Sequence, residues 1–292
     1  MTSQPSRFSE RLRTINVLGR VSNLPTVGSN CFAGWLLGGG GELPKLAWVC
    51  TGAALLYTGG MFLNDAVDAD WDREHRTERP IPAGRISRGS VYAGALGLLV
   101  AGWLLLLAEA GRTALLGLAL VLAIVVYDLV HKQVGFAPVL MAGCRGLLYL
   151  TAAGAGAGGL AQPALLGALA IAGYVAGLSF LARRESTDQR MPRWPVLLLL
   201  APVGLAFVAD PGVVWPLSKI LAGSACLLWT AWCLRYAATK PQPNLGRCVS
   251  GLLAGIPLVD GLAAGGGSWL LTALFGGLFL FARWWQRFAP AT

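Results

Sequence analysis

Asp65, Asp68 and Asp72 stand at i, i+3 and i+7 behind Asn64, in a fourteen-residue stretch, Asp65 to Glu78, that holds six of the chain's fourteen acidic residues. In a helix these positions share one face. Three like charges on one face repel one another, and at the end of a membrane helix their desolvation adds to the cost. A divalent cation relieves both. Mg²⁺ takes oxygen ligands, and it prefers one or two carboxylates, waters and substrate phosphate oxygens to a cage made wholly of protein. The open carboxylate row therefore predicts a Mg²⁺–diphosphate site, with Asn64, Asp65, Asp68 and Asp72 as its metal ligands. Asp70 and Glu74 fall off this face and are expected to pair with nearby arginines at the surface.

The segment that follows, Arg76-Thr-Glu-Arg79-Pro-Ile-Pro-Ala-Gly-Arg85, must leave the helix, because two prolines and a glycine break it into a rigid loop. Arg79 is placed to meet phosphate oxygens bidentately. Arg85 and Arg88 read as anchors at the membrane edge. Arg145 lies well inside an apolar run, where an arginine is costly and faces a polar cavity; phosphate contact and pairing with Asp128 are its two expected roles. Asp128 and Lys132 are i, i+4 and are also placed to pair. Asn23 and Tyr149 are candidate polar groups of the cavity, and Asp260 reads as a satisfied structural carboxylate.

These residues need a frame that a bilayer can hold. Of 292 residues, 55% are hydrophobic and only 13% charged, about half the charged share of a soluble domain. Apolar runs of about twenty residues recur along the whole length, which predicts an all-α polytopic membrane bundle. Barrel-like alternation is absent. Ten candidate spans cover 21–39, 46–64, 90–108, 113–130, 135–154, 163–182, 194–209, 214–234, 248–264 and 268–286; the glycine-rich ninth is the weakest, so nine to ten spans around a central cavity are expected, in one domain over 1–292. Connectors on one side then carry only Lys45, Arg112 and Lys219 of the 23 basic residues, and all the others except Arg145 fall opposite. That asymmetry puts both termini and the acidic cluster on the cytoplasmic side. The polar, basic start, with Arg7, Arg11 and Arg13, lacks the features of a cleaved signal peptide. The net charge of +9 is explained by this placement and does not point to nucleic acid. The six cysteines form no CxxC pair, so neither a metal knot nor a disulfide framework is expected.

Asn64-Asp65-x-x-Asp68-x-x-x-Asp72 followed by Arg79-Pro80-Ile81-Pro82-x-Gly84 resembles the first signature of the UbiA superfamily of membrane prenyltransferases. Weaker resemblance runs over most of the chain, including Tyr127 and Lys132, whose family counterparts lie near the diphosphate. The resemblance implies an all-helical enzyme of a bacterial membrane. It would bind a polyprenyl diphosphate through Mg²⁺ and transfer the prenyl group to an aromatic or other lipophilic acceptor. The family's second aspartate motif, DxxxD or longer, is replaced here by Arg183-Arg184-Glu185-Ser-Thr-Asp188. Glu185 and Asp188 are spaced to hold a second ion, and Arg183 and Arg184 bring positive charge that could replace one. In this, and in Met141-x-Gly-Cys-Arg145-Gly, the chain resembles a divergent, EboC-like subgroup. The expected mechanism has Asp65, Asp68, Asp72 and Lys132 at the reacting diphosphate, supported by Asn64, Arg79, Tyr127, Arg145, Arg183 and Arg184. The rival expectation is a lipid or metabolite carrier that keeps the fold and the diphosphate site without the chemistry.

Overall fold

A computed structural model describes residues 7–109, 111–183, 194–209, 214–239 and 243–288. Among these residues every regular element is helical. The helices are α1 (Arg7–Leu18), α2 (Leu24–Leu37), α3 (Leu43–Val67), α4 (Ala69–His75), α5 (Arg88–Ala108), α6 (Gly111–Val130), α7 (Ala137–Gly154), α8 (Gln162–Arg183), α9 (Trp194–Leu198), α10 (Ala201–Ala209), α11 (Leu217–Ala238), α12 (Leu245–Ala254), α13 (Ile256–Ala264) and α14 (Trp269–Trp285). All ten apolar runs are thus helical. Seven helical stretches are long and apolar enough to cross a membrane: α3, α5, α6, α7, α8, α11 and the joined α12–α13. The other three runs are shorter or interrupted: α2, the α9–α10 pair and α14. The chain is an integral multi-pass membrane protein.

Helix starts follow local chemistry. Ser87 Oγ accepts the Ser90 N–H to cap α5, and Asn244 Oδ1 accepts the Arg247 N–H to cap α12, each satisfying an amide the helix leaves open. Prolines stand in the first turns of α2, α3, α7 and α13, where the missing N–H costs nothing. On α5, Leu96, Val100, Leu104 and Leu107 form one exposed stripe, and α6 exposes Leu115, Leu122, Val126 and Leu129. In water such stripes would be a liability; in a bilayer they are the lipid face.

Small residues set the interior distances. A Cβ on Gly34 of α2 would lie 2.4 Å from the Tyr149 carbonyl oxygen of α7, and one on Gly102 of α5 would lie 2.8 Å from the Gly52 oxygen of α3. Backbones this close are how membrane helices gain packing without a hydrophobic driving force. The core divides into two large clusters. One gathers α3, α5 and α6; the other gathers α8 and α11 to α14; α2 and α7 contribute to both. Between them lies a cavity of about 760 Å³, lined from α3, α6, α7, α8 and α12. The acidic segment sits at its mouth.

Candidate active site

The aspartate row keeps its single face. α3 ends at Val67 and α4 begins at Ala69, yet helical hydrogen bonding runs through the junction: the Asp68 N–H donates to the Asn64 oxygen at 2.9 Å and the Asp72 N–H to the Asp68 oxygen at 2.9 Å. Asn64, Asp65, Asp68 and Asp72 are all buried, with Asp72 only 1% exposed. Burying four such groups requires compensation, and cations supply it from three directions.

Arg79 Nη1 bridges two carboxylates, donating to Asp65 Oδ1 at 3.0 Å and Asp72 Oδ2 at 3.1 Å. The loop that carries it is stiff. The Ala83 N–H donates to the Arg79 oxygen and the Arg85 N–H to the Pro80 oxygen, Ile81 is buried, and Gly84 takes φ +69°. Lys132 Nζ lies 2.8 Å from Asp68 Oδ1 and 4.2 Å from the centre of the Trp71 ring, while His131 Nε2 lies 3.4 Å from Asp68 Oδ2. Arg20 Nη2 approaches Asp65 Oδ1 at 3.7 Å and Asn64 Oδ1 at 3.5 Å. Among the described residues Arg20 alone, outside glycine, has positive φ, at 41°. Strain of this kind tends to gather at functional sites.

The electrostatics follow from these contacts. Burial opposes ionisation of Asp68, but hydrogen bonds from His131 and Lys132 and their positive charge outweigh it, holding the carboxyl below its ordinary range. Burial alone would lower His131; the Asp68 hydrogen bond and charge reverse that and raise it. Asp72 is pushed up, first by burial against the opposing pull of Arg79, with the Asp68 charge adding to the rise.

The structure brings Asn64, Asp65, Asp68, Asp72, Arg79 and Lys132, all named from the sequence, into one cluster. Asp70 pairs with Arg73 and Arg88 at the surface, as expected. Tyr127 lines the cavity, stacked on His131 at 5.1 Å. Arg183 ends α8, lines the cavity and donates to the Val134 oxygen. Arg184, Glu185 and Asp188 lie outside the described residues. Two pairings offered from the sequence, one from i, i+4 spacing and one as a role for a buried arginine, are corrected. Lys132 reaches Asp68 instead of Asp128, and Asp128 Oδ1 instead accepts the Asn64 amide at 3.1 Å. Arg145 likewise does not meet Asp128; its Nη1 donates to Asn30 Oδ1 at 2.8 Å and its Nη2 to Thr26 Oγ1 at 3.3 Å. Spacing could not show these partners, because they lie on helices far apart in sequence. Arg20 and His131 were missed altogether. The hint for His131 was its place beside Lys132; for Arg20 there was none beyond its charge at the start of an apolar run.

The donor set suits Mg²⁺. It is made of oxygens, as that ion requires, and two buried carboxylate oxygens, Asp72 Oδ1 and Asp128 Oδ2, have no hydrogen-bond partner among the described residues. No three acidic, histidine or cysteine groups among the described residues close into a ready-made cage. The row is open on one side, and Arg79 and Lys132 pair with its carboxylate oxygens.

Residues 27–192 match the UbiA prenyltransferase family. The chain is 36% identical over 83 residues to a digeranylgeranylglyceryl phosphate synthase of Methanoculleus marisnigri, covering 28% of this chain and 30% of that protein. It is 28% identical over 130 residues to a 4-hydroxybenzoate octaprenyltransferase of Burkholderia mallei, covering 44% of this chain and 45% of that one. The chain thus aligns with less than half the length of either relative. Its fold matches a solved structure described as that of a digeranylgeranylglyceryl phosphate synthase in membranes, with a TM-score of 0.65 at 17% identity over 88% of this chain and 99% of the other. It also matches the apo structure of a UbiA homologue from Aeropyrum pernix K1, with a TM-score of 0.52 at 15% identity over 91% and 97%.

Proposed function

Since the chain belongs to the UbiA prenyltransferase family, we propose that it transfers an isoprenyl group from a polyprenyl diphosphate to a lipophilic acceptor inside the membrane. The observation that carries this reading is the buried row Asn64, Asp65, Asp68 and Asp72, ringed by Arg20, Arg79, His131 and Lys132, at the mouth of an apolar cavity. In this reading Asn64, Asp65, Asp68 and Asp72 hold Mg²⁺, which, when bound, neutralises diphosphate charge and eases loss of the leaving group.

The protein's own groups do the rest. Arg79 and Lys132 exchange carboxylate partners for phosphate oxygens, which stabilises the negative charge that grows on the leaving diphosphate. Arg20 adds a second positive charge beside Asp65 Oδ1, at 3.7 Å. The allylic carbon gains cationic character as its C–O bond breaks, and the acceptor nucleophile attacks it. Leu120, Ile124, Leu148, Val175 and Leu178 wall the cavity, so the cation meets the acceptor before it meets water. The positive-inside pattern of the connectors supports a site facing the cytoplasm.

The test is release of inorganic diphosphate by purified protein given Mg²⁺, geranylgeranyl diphosphate and a panel of lipophilic aromatic acceptors. Release that requires both an acceptor and Asp68 supports transfer. Tight binding of geranylgeranyl diphosphate without release under any acceptor would mark a carrier instead.

A further inference from the structure

The opposite end of the bundle holds a second, polar pocket of about 460 Å³. The starts of α3 and α6 and the ends of α5 and α7 meet there, roughly 30 Å along α3 from the aspartate row. Two of the three basic residues that the sequence assigns to this side's connectors, Lys45 and Arg112, line it together with Glu42 and Glu109. Lys45 Nζ lies 3.8 Å from Glu42 Oε1. Arg112 and Glu109 have no ion-pair partner among the described residues, although they stand three positions apart and face one space.

The walls of the pocket are fixed. The Ala157 N–H donates to the Gly40 oxygen at 2.8 Å and the Gly158 N–H to the Gly38 oxygen at 2.7 Å, which ties the loop after α7 to the loop before α3. Arg112 lies over Gly159, where φ is +65° and an added Cβ would collide with Nη1. The glycine makes room for the guanidinium. α6 begins at Gly111, so its first amides have no acceptor within the helix. Such an end carries partial positive charge and suits a phosphate. A side chain points to the same ligand. Thr113 is only 2% exposed, lines the pocket and has no side-chain hydrogen bond among the described residues. Its Oγ1 and its amide nitrogen face Gly154, which also lines the pocket: a Cβ there would lie 3.2 and 3.4 Å from them. A buried hydroxyl without a partner is costly, and an oxyanion is the acceptor it lacks.

We infer that this pocket binds the headgroup of a phospholipid that carries both a phosphate and an ammonium group. The phosphate sits on the start of α6 and takes hydrogen bonds from the Thr113 hydroxyl and the Arg112 guanidinium. The ammonium meets Glu109 at the end of α5, where the helix dipole also favours a cation. One ligand thereby satisfies an unpaired cation and an unpaired carboxylate, which a purely anionic lipid cannot do. The flanks favour a lipid over a soluble ester. Leu43, Leu107 and Leu115 stand exposed within two residues of Glu42, Glu109 and Thr113, so acyl chains run from the pocket along the lipid face of α5 and α6. The site lies at the far end of the bundle from the proposed transfer centre and does not depend on that reading.

The experiment is native mass spectrometry of the full chain in detergent, titrated with dioleoylphosphatidylethanolamine or dioleoylphosphatidylglycerol. It compares wild type, Arg112→Gln, Thr113→Val and Glu109→Gln. Wild type should take up one ethanolamine lipid about tenfold more tightly than the glycerol lipid, as charge-assisted contacts at both ends of the headgroup predict. Arg112→Gln should lose about tenfold in affinity for the ethanolamine lipid and Thr113→Val about fivefold. Glu109→Gln should bring the two lipids to equal affinity. Melting temperatures and Mg²⁺-dependent binding of geranylgeranyl diphosphate should be unchanged in all three variants, which shows that they fold. Soluble phosphoethanolamine distinguishes the sources, and either result upholds the site: displacement of the lipid means that the headgroup alone suffices, and no displacement means that the chains anchor it. Equal affinity of wild type for the two lipids overturns the inference without using any variant. Undiminished binding of the ethanolamine lipid by Arg112→Gln also overturns it.

Discussion

Asp68 is held by Lys132 and His131 from one connector, whereas Asp65 and Asp72 share the guanidinium of Arg79, with Arg20 a second cation beside Asp65. The i, i+3, i+7 spacing made the row legible in the sequence, because it needs nothing but helical periodicity. Its partners were less so. Arg79 could be read from the loop that follows, but Arg20 lies 44 residues from Asn64 and meets it from a left-handed backbone. That conformation gives a prediction. Arg20→Gly and Arg20→Ala both delete the guanidinium, and only glycine relieves φ 41°. The glycine variant should therefore be more stable than the alanine variant by about 1 kcal/mol, the reverse of the usual order. Both should bind geranylgeranyl diphosphate more weakly than wild type. Thermal unfolding in detergent and a binding titration read the two effects, and equal stability of the pair would remove strain from the account.

The helices were legible as apolar runs, and their ends mostly fell within a few residues of expectation because capping residues and prolines mark them. What periodicity could not show was how closely they pack. α2 is only 14 residues long, shorter than the 21–39 run that suggested it, yet it carries Thr26, Ser29 and Asn30, the anchors of both Arg145 and Asp260. Its place depends on Gly34 lying against the α7 backbone. Gly34→Leu should force the two helices apart and cost about 1–3 kcal/mol, the range for overpacking. Gly97→Leu on α5, where nothing lies within 4 Å of an added Cβ, should leave stability within about 0.5 kcal/mol of wild type. Equal loss in both variants, measured as detergent melting temperatures, would mean that close packing of α2 on α7 does not hold the polar network. The pairing of Asp128 with Asn64 belongs to the same scale: spacing along one helix suggested Lys132, while the approach of α6 to α3 decided otherwise.

For the molecule as a whole, composition alone identified a multi-pass helical bundle, and the basic connectors suggested which end faces the cytoplasm. The two core clusters flank a cavity, in keeping with the expectation of spans around a central cavity. The second acidic segment, Glu185 and Asp188, falls outside the described residues, so the single aspartate row bears the account. Orientation is open to direct test. Thr77→Cys lies in the exposed connector after the aspartate row, and Glu42→Cys in an exposed turn at the other end of α3. A membrane-impermeant maleimide on intact cells should label Glu42→Cys at once and Thr77→Cys only after permeabilisation. The opposite order would invert the topology.

The most direct test of the central claim is Mg²⁺-dependent binding of geranylgeranyl diphosphate to the detergent-purified protein, wild type against Asp68→Asn. Wild type should bind only with Mg²⁺ present, and Asp68→Asn should lose that binding about a hundredfold while melting like wild type, since removing one buried, charge-paired ligand costs 2–5 kcal/mol. Binding of equal strength with and without Mg²⁺, or undiminished binding by folded Asp68→Asn, would contradict the aspartate row as a metal–diphosphate site.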